Sequence, residues 1–433
     1  MSGQTRAAAA TPAPRNLYTA MSRVGWNVAD QALSSLTNAA LSVLVARSVD
    51  AHSFGAFAVC FTAYSLVIGV NRAFISDPLT VRFSDATHES FGAARRHALA
   101  AAAAVGAGAS AILLVGALTQ SGDLQDALLV LALTMPGLTV QDALRLSFIT
   151  EGRPRAAALN DFFWGVLQIG GVGVLLFTGV SSVAVFVFVW GAAAGVAALY
   201  GIVRTRALPA VRGTRRWVGQ QLDLSGFFVA EFTAATGSFQ AAFLLVGAIG
   251  EVADVGSLRG AQVLLGPLNV AFYGFTFFAT PELVRRKALP RRTHVASAFA
   301  LSGSLLTLTL VWGTLLLQLP DGAGRELLGE AWDGARSAVP AMTAWSAGIA
   351  AAVGPICVLR AFGAAREIFR LSLLVGMLLL SLGVIGATQG GADGAALGFA
   401  IAQWLVFPLA WARMLHVIRA KETTAPDTGR AAP

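Results

Sequence analysis

The chain has 433 residues, of which 56% are hydrophobic and only 12% charged, and its mean hydropathy is +0.67. A water-soluble domain carries about 25% charged residues, so a chain this long and this apolar has no surface to offer to water. A soluble enzyme is excluded, and the net charge of +8 acquires meaning only once its position is known.

Taken from the start, Met1–Arg15 lack the apolar core of a cleavable signal, because the Ala7–Ala10 run is short and is followed by Pro12 and Pro14. Twelve apolar spans are expected after it: roughly 24–46, 55–80, 97–119, 125–149, 158–179, 182–203, 222–249, 257–281, 295–318, 337–358, 369–388 and 394–415. About 20 apolar residues cross a bilayer. The hydrocarbon core leaves only helices or closed barrels as spanning structures. Stretches such as Ala98–Leu118 and Val172–Tyr200 show no alternation of polar and apolar residues, so they read as helices. The expected fold is all-α, with about twelve transmembrane helices in two pseudo-symmetric six-helix bundles around a central cavity. The expected boundaries are 1–23 for a tail, 24–203 for the first bundle, 204–221 for a linker, 222–415 for the second bundle and 416–433 for a second tail.

The first span carries Asn27, Gln31, Ser34, Asn38 and Ser42 at steps of four, three, four and four, with Asp30 beside them. That spacing is one face of a helix. The seventh span has the same habit, with Glu231, Thr233, Thr236, Ser238 and Gln240. Polar side chains are costly against lipid, so both faces are expected to look into the protein or into a water-filled cavity. Helix–helix interfaces glued by small polar residues are the alternative. Arg72 lies deep in the second span and Arg145 in the fourth, where Asp142 three residues earlier is a ready local partner. Asp161 and Glu231 complete the buried charges. Cys60 and Cys357 fall in apolar runs with no metal-ligand spacing and read as core residues.

The basic residues give the orientation. With the first residues in the cytoplasm, 25 of the 31 Lys and Arg fall in inside segments. Arg47, Arg259, Arg325 and Arg336 fall in outside ones, which are acidic: Asp50, Asp123, Asp126, Glu251, Asp254, Asp321 and others. Lys and Arg are retained on the cytoplasmic side. The expected location is the inner membrane with both termini cytoplasmic. The positive charge is then topological and gives no reason to expect a nucleic-acid partner.

The halves repeat. Asp30, Gly55, Pro78 and Arg82 in the first correspond to Glu231, Gly256, Pro281 and Arg285 in the second, at nearly constant offset. An even number of spans per half makes this a parallel repeat about an axis along the membrane normal.

The stretch Asn27–Asn38, followed by Val45-Ala46-Arg47, Phe54-Gly55-Ala56-Phe57 and Arg72-Ala73-Phe74-Ile75-Ser76-Asp77-Pro78-Leu79, resembles the opening of the polysaccharide-exporter branch of the multidrug/oligosaccharidyl-lipid/polysaccharide flippase superfamily. The second half carries no comparably sharp motif. The resemblance implies two bundles forming a V around a cavity, working by alternating access. It implies a partner of the undecaprenyl-pyrophosphate-linked oligosaccharide type, moved from inner to outer leaflet, with polysaccharide glycosyltransferases or a polymerase as further partners. Cationic residues line the cavity in such relatives, where Arg72 and Arg145 would sit. The drug-antiporter branch uses acids in its first and seventh helices, which Asp30 and Glu231 would match.

The expectation is therefore a non-enzymatic flippase of a lipid-linked oligosaccharide, contacting membrane lipid and using no cofactor beyond coupling to H+ or Na+. Its substrate-binding candidates are Arg72, Arg145, Asn27, Gln31, Ser34, Asn38 and Gln240, and its ion-coupling candidates are Asp30 and Glu231. A cation-coupled multidrug antiporter is the alternative. A membrane glycosyltransferase or polymerase would need an Asp-x-Asp metal motif and a sizeable outer loop, and neither is present.

Overall fold

The computed structural model describes residues 33–285 and 290–424. Every regular element among them is a helix. In chain order they are α1 (Leu33–Ala46), α2 (Ala51–Phe83), α3 (His88–Ala117), α4 (Gly122–Thr150), α5 (Pro154–Phe177) and α6 (Val183–Thr205). A short α7 (Thr214–Gly219) lies in the linker. The second half has α8 (Leu222–Ile249), α9 (Val252–Leu264), α10 (Gly266–Arg285), α11 (Arg291–Leu317), α12 (Asp321–Leu328), α13 (Trp332–Ala361) and α14 (Ala365–Thr424). Among the described residues, nine helices are long and apolar enough to cross a membrane. One of these, α14, is broken at Gly390 and Gly391, and its two arms fold back on each other through the close approach of Gly386 and Gly394. With that break, with α1 as the described part of the first span, and with α9 and α10 in tandem, the twelve expected spans are accounted for. The protein is a multi-pass membrane protein.

Local signals explain the starts. Asp50 caps α2 by accepting from the Ser53 N–H at 2.9 Å. That donor holds the Asp50 carboxyl below the usual carboxylate range. Thr87 caps α3, and Glu251 with Asp254 forms a reciprocal capping box on α9. Pro154 opens α5, where its missing N–H costs no helix bond.

Within the first half α4 packs on α3, α6 and α2, and α5 packs on α6. Within the second, α13 packs on α9, α11 and α14, and α8 on α14. Phe57, Phe61 and Tyr64 of α2 surround Trp190 of α6, and Phe239 and Phe243 of α8 stack with Trp345 and Phe399. The outward faces are apolar: Ile112, Leu118, Leu133, Phe177 and Val203 are all exposed. A belt of this size on a soluble protein would aggregate, and here it is the lipid-facing surface.

The halves meet along α2, which lies against α8 and α9. The loops divide into two ends. Asp50, Asp123, Glu251 and Asp254 mark an acidic end, where the Ser53 hydroxyl donates to both Asp50 and Asp123. Arg82, Arg95, Arg153 and Arg216 mark a basic end, where Arg95 and Arg153 both reach Glu151. The linker is docked there: the Ala210 N–H donates to the Arg96 carbonyl at 2.9 Å, and Trp217 is buried beside the Phe83 and His97 rings.

Both α2 and α8 carry one π-helical turn, at Arg72–Ser76 and Thr233–Gly237. Each turn inserts an extra residue and re-aims the side chains around it. The two lie beside the seam, where the Phe232 ring covers Gly69.

Candidate functional site

The polar cavity lies in the second half, with α2 of the first half as one wall. It encloses about 620 Å³. Thr62 and Ser65 come from α2, Thr236 and Gln240 from α8, Arg259 and Gln262 from α9, Asn269 from α10, Ser346 and Arg360 from α13 and Gln403 from α14. Phe61, Phe239, Phe272 and Trp345 give it aromatic walls, with Phe239 and Trp345 stacked at 4.4 Å. Among the described residues the lining contains two arginines and no carboxylate.

Arg259 is the centre of this arrangement. Its guanidinium carbon lies 3.7 Å from the centre of the Phe61 ring, a cation–π contact. One amino group donates to the Ser42 hydroxyl at 3.0 Å, and another reaches Gln262 Oε1 at 3.5 Å. The Ser42 hydroxyl in turn donates a hydrogen bond to the Asn38 carbonyl at 2.8 Å. The Nε of Arg259 is buried without a hydrogen-bond partner, and so is Trp345 Nε1. Among the described residues no carboxylate lies within ion-pair distance of Arg259. Buried polar atoms are nearly always satisfied, so Arg259 and Trp345 bring to the cavity walls two donors that no acceptor among the described residues meets.

Sequence position assigns Arg259 to an outside segment. The structure corrects this: it sits within α9 and faces the cavity. Its neighbour Gln262, one turn on, and Asn269 beyond it were the available signal, a polar face within an apolar span.

The first half has the opposite character. Arg72, in the π turn of α2, pairs with Asp142 of α4, with Nη2 at 2.5 Å and Nε at 3.0 Å from the carboxylate. Asp142 is buried, while the Arg72 side chain is 41% exposed. Arg145 donates through Nε to Asp161 at 2.9 Å, and Gln141 donates to the other oxygen of Asp161 at 3.0 Å. The i,i+3 spacing suggests an Asp142–Arg145 pair; in the structure Asp142 turns to Arg72 and Arg145 to Asp161, because inter-helix geometry brings these groups together more directly. Asn71 adds a bond to the Thr139 carbonyl. Charges in the first half are thus matched across helices, whereas among the described residues the cavity of the second half keeps its cations unmatched by acids.

Of the other expected site residues, Gln240 lines the cavity. Asn38 is half-buried in α1 with an orphaned Oδ1, and Ser34 is half-buried one turn earlier. Glu231 is exposed on α8, one turn from the cavity-lining Ala235 and outside the lining itself. Asn27, Asp30 and Gln31 lie outside the described residues.

No protein-family model matches the chain, and no curated protein is similar to it in sequence. Solved structures do match over nearly the whole length. An inward-facing multidrug-resistance MATE family transporter of the MOP superfamily aligns with TM-score 0.70 and 13% identity, covering 90% of this chain and 96% of its own. The inward closed form of the lipid II flippase MurJ aligns with TM-score 0.65 and 12% identity, covering 92% and 91%. A MOP superfamily transporter from Pyrococcus furiosus, described as having a binding pocket of reverse polarity, aligns with TM-score 0.58 and 10% identity, covering 94% and 96%. The fold is that of the MOP superfamily transporters. The expected architecture of two helical bundles around a central cavity is the one this fold has.

Proposed function

We propose that the chain is a flippase for an anionic lipid-linked oligosaccharide, carried on a polyprenyl pyrophosphate. In this reading the basic end faces the cytoplasm, where membrane glycosyltransferases make the substrate, and the cavity delivers it to the outer leaflet. The observation that carries the proposal is the cavity wall: among the described residues, Arg259 has no carboxylate partner, two donors are orphaned and the lining holds no acid. A cationic drug would meet repulsion there, whereas a phosphate would find a planar fork of donors. Gln240, Gln262, Asn269 and Gln403 offer the donors and acceptors that sugar hydroxyls need once they leave water. The likeness to a lipid II flippase fold supports the same reading.

The test is Arg259→Ala and Arg259→Lys in a flipping assay with purified protein in vesicles. The alanine variant should be inactive at normal protein level, and the lysine variant, which keeps charge without the fork, should keep part of the activity. Full activity of Arg259→Ala toward a lipid-linked oligosaccharide would overturn the assignment. Export of organic cations by the wild type would replace it with the antiporter reading.

A further inference from the structure

A second void opens off the polar cavity. It encloses about 280 Å³ between α13 and the two arms of α14, and its walls are apolar: Ile356, Cys357, Ile368, Leu371, Val406 and Phe407 among others. It shares Ile349, Val353 and Gln403 with the polar cavity, so the two adjoin. Arg360 also lines both, and it is the one charged residue in the apolar lining.

Arg360 stands in the last turn of α13, at the basic end, and is exposed. Among the described residues it has no carboxylate partner. Glu367, at the start of α14, is held instead by Arg370 at 3.0 Å and Arg413 at 3.6 Å. An apolar groove and a polar cavity therefore share a guanidinium that has no carboxylate partner among the described residues. A lipid-linked glycan likewise joins a hydrocarbon chain to sugars through an anionic joint.

Resting on the flippase reading above, we propose that Arg360 is the loading contact for the pyrophosphate joint of the substrate. The head-proximal part of the prenyl chain lies in the groove between α13 and α14, and the glycan enters the polar cavity. Arg259, deeper and nearer the acidic end, is then the second station for the anion. An apolar chain gains little by leaving lipid for an apolar groove, because lipid tails are as apolar as leucine. The groove fixes where the chain goes, and the affinity comes from the charge. A chain without the anion should consequently bind weakly, and so should the anion without the chain. An arginine kept only for topology would be indifferent to both.

The experiment uses full-length protein with Cys60 and Cys357 replaced by alanine and one reporter thiol, Ser372→Cys in the groove or Thr62→Cys in the cavity. The rate of maleimide labelling is measured with undecaprenyl pyrophosphate, with undecaprenol and with inorganic pyrophosphate. Undecaprenyl pyrophosphate should protect the groove thiol, with undecaprenol and inorganic pyrophosphate each about tenfold weaker. Arg360→Gln should raise the concentration needed for protection by about tenfold, and Arg360→Lys by less. Equal protection by undecaprenol, or protection unchanged in Arg360→Gln, would overturn the loading role. If the cavity thiol alone is protected, the flippase reading survives and this inference fails. If undecaprenyl pyrophosphate protects neither thiol, both fail.

Discussion

Gly55 of α2 and Gly256 of α9 face each other across the seam between the halves, so closely that a Cβ added to Gly256 would lie 3.0 Å from the Gly55 Cα. A Cβ on Gly55 would run into the backbone carbonyl of Val252. Each glycine is the fifth residue of its helix, and the two come together at the acidic end. Small residues let membrane helices approach to backbone contact, and here that contact joins α2 to α9 at the acidic end.

The first prediction follows from this contact. Gly55→Val or Gly256→Val should wedge the acidic end apart. Spin labels at Asp126 and Glu330 should report a longer distance than in the wild type, with transport reduced and protein level maintained. An unchanged distance together with normal transport would show that α2 and α9 have room to give.

The pair of Arg72 and Asp142 yields a second prediction. Removing one partner of a buried ion pair costs about 3–5 kcal/mol because the other charge is stranded. Asp142 is 3% exposed, while Arg72 is 41% exposed and partly screened, so the cost here should fall below that range. Arg72→Ala should lower the thermal midpoint in detergent, and the double variant with Asp142→Ala should recover most of it. Transport separates the roles. Recovery of transport in the double variant would make Arg72 structural, whereas a stable but inactive double variant would place Arg72 on the substrate path.

The spans and their order were legible because hydropathy acts locally: each run of about 20 apolar residues announces its own helix. The two ends were legible for the same reason: Asp50, Glu251 and Asp321 stand at helix starts on one end, where the few arginines, such as Arg325 and Arg336, pair with acids. The pairing of charges was not. Arg72 and Asp142 are 70 residues apart, and only the packing of α2 against α4 brings them together. Arg259 was missed because a charge near the start of a span looks like a loop residue. What places it in the cavity is the tandem α9–α10, which starts earlier than hydropathy alone suggests and carries Arg259 one residue beyond the second turn of a helix. Gln240 was readable because it continues the polar face of the seventh span.

The orientation has its own test. The proposed arrangement puts the linker in the cytoplasm and α12 outside. Fusions of a fluorescent protein and of alkaline phosphatase after Arg212 and after Gly322, both exposed, should give opposite signals, with fluorescence at Arg212 and phosphatase activity at Gly322. The same signal at both positions would remove the cytoplasmic assignment of the basic end, and with it the direction of transport.

The last prediction concerns the break in α14. Gly391 has φ +54° and ψ −135°, a region that is essentially closed to residues with a Cβ. Asp254 of α9 holds the break in place. One carboxylate oxygen accepts from the buried Ala392 N–H at 3.0 Å, and the other accepts from the Glu251 N–H at 3.2 Å. A Cβ on Gly391 would sit 2.8 Å from the first of these oxygens. Gly391→Ala therefore combines backbone strain of about 1–3 kcal/mol with a collision at the Asp254 carboxylate that pins the turn. Asp254→Ala, in a chain that keeps Gly391, leaves the Ala392 N–H without this acceptor, a loss of about 1.5–3 kcal/mol for a hydrogen bond to a charged group. Asp254→Asn keeps an acceptor oxygen and should cost least. The expected order of thermal midpoints is wild type, Asp254→Asn, Asp254→Ala, Gly391→Ala. Because the arms of α14 wall both the apolar groove and the polar cavity, transport should fall in the same order. A Gly391→Ala protein with wild-type stability would mean that the arms meet through an ordinary turn, and the link between α9 and α14 would have to be abandoned.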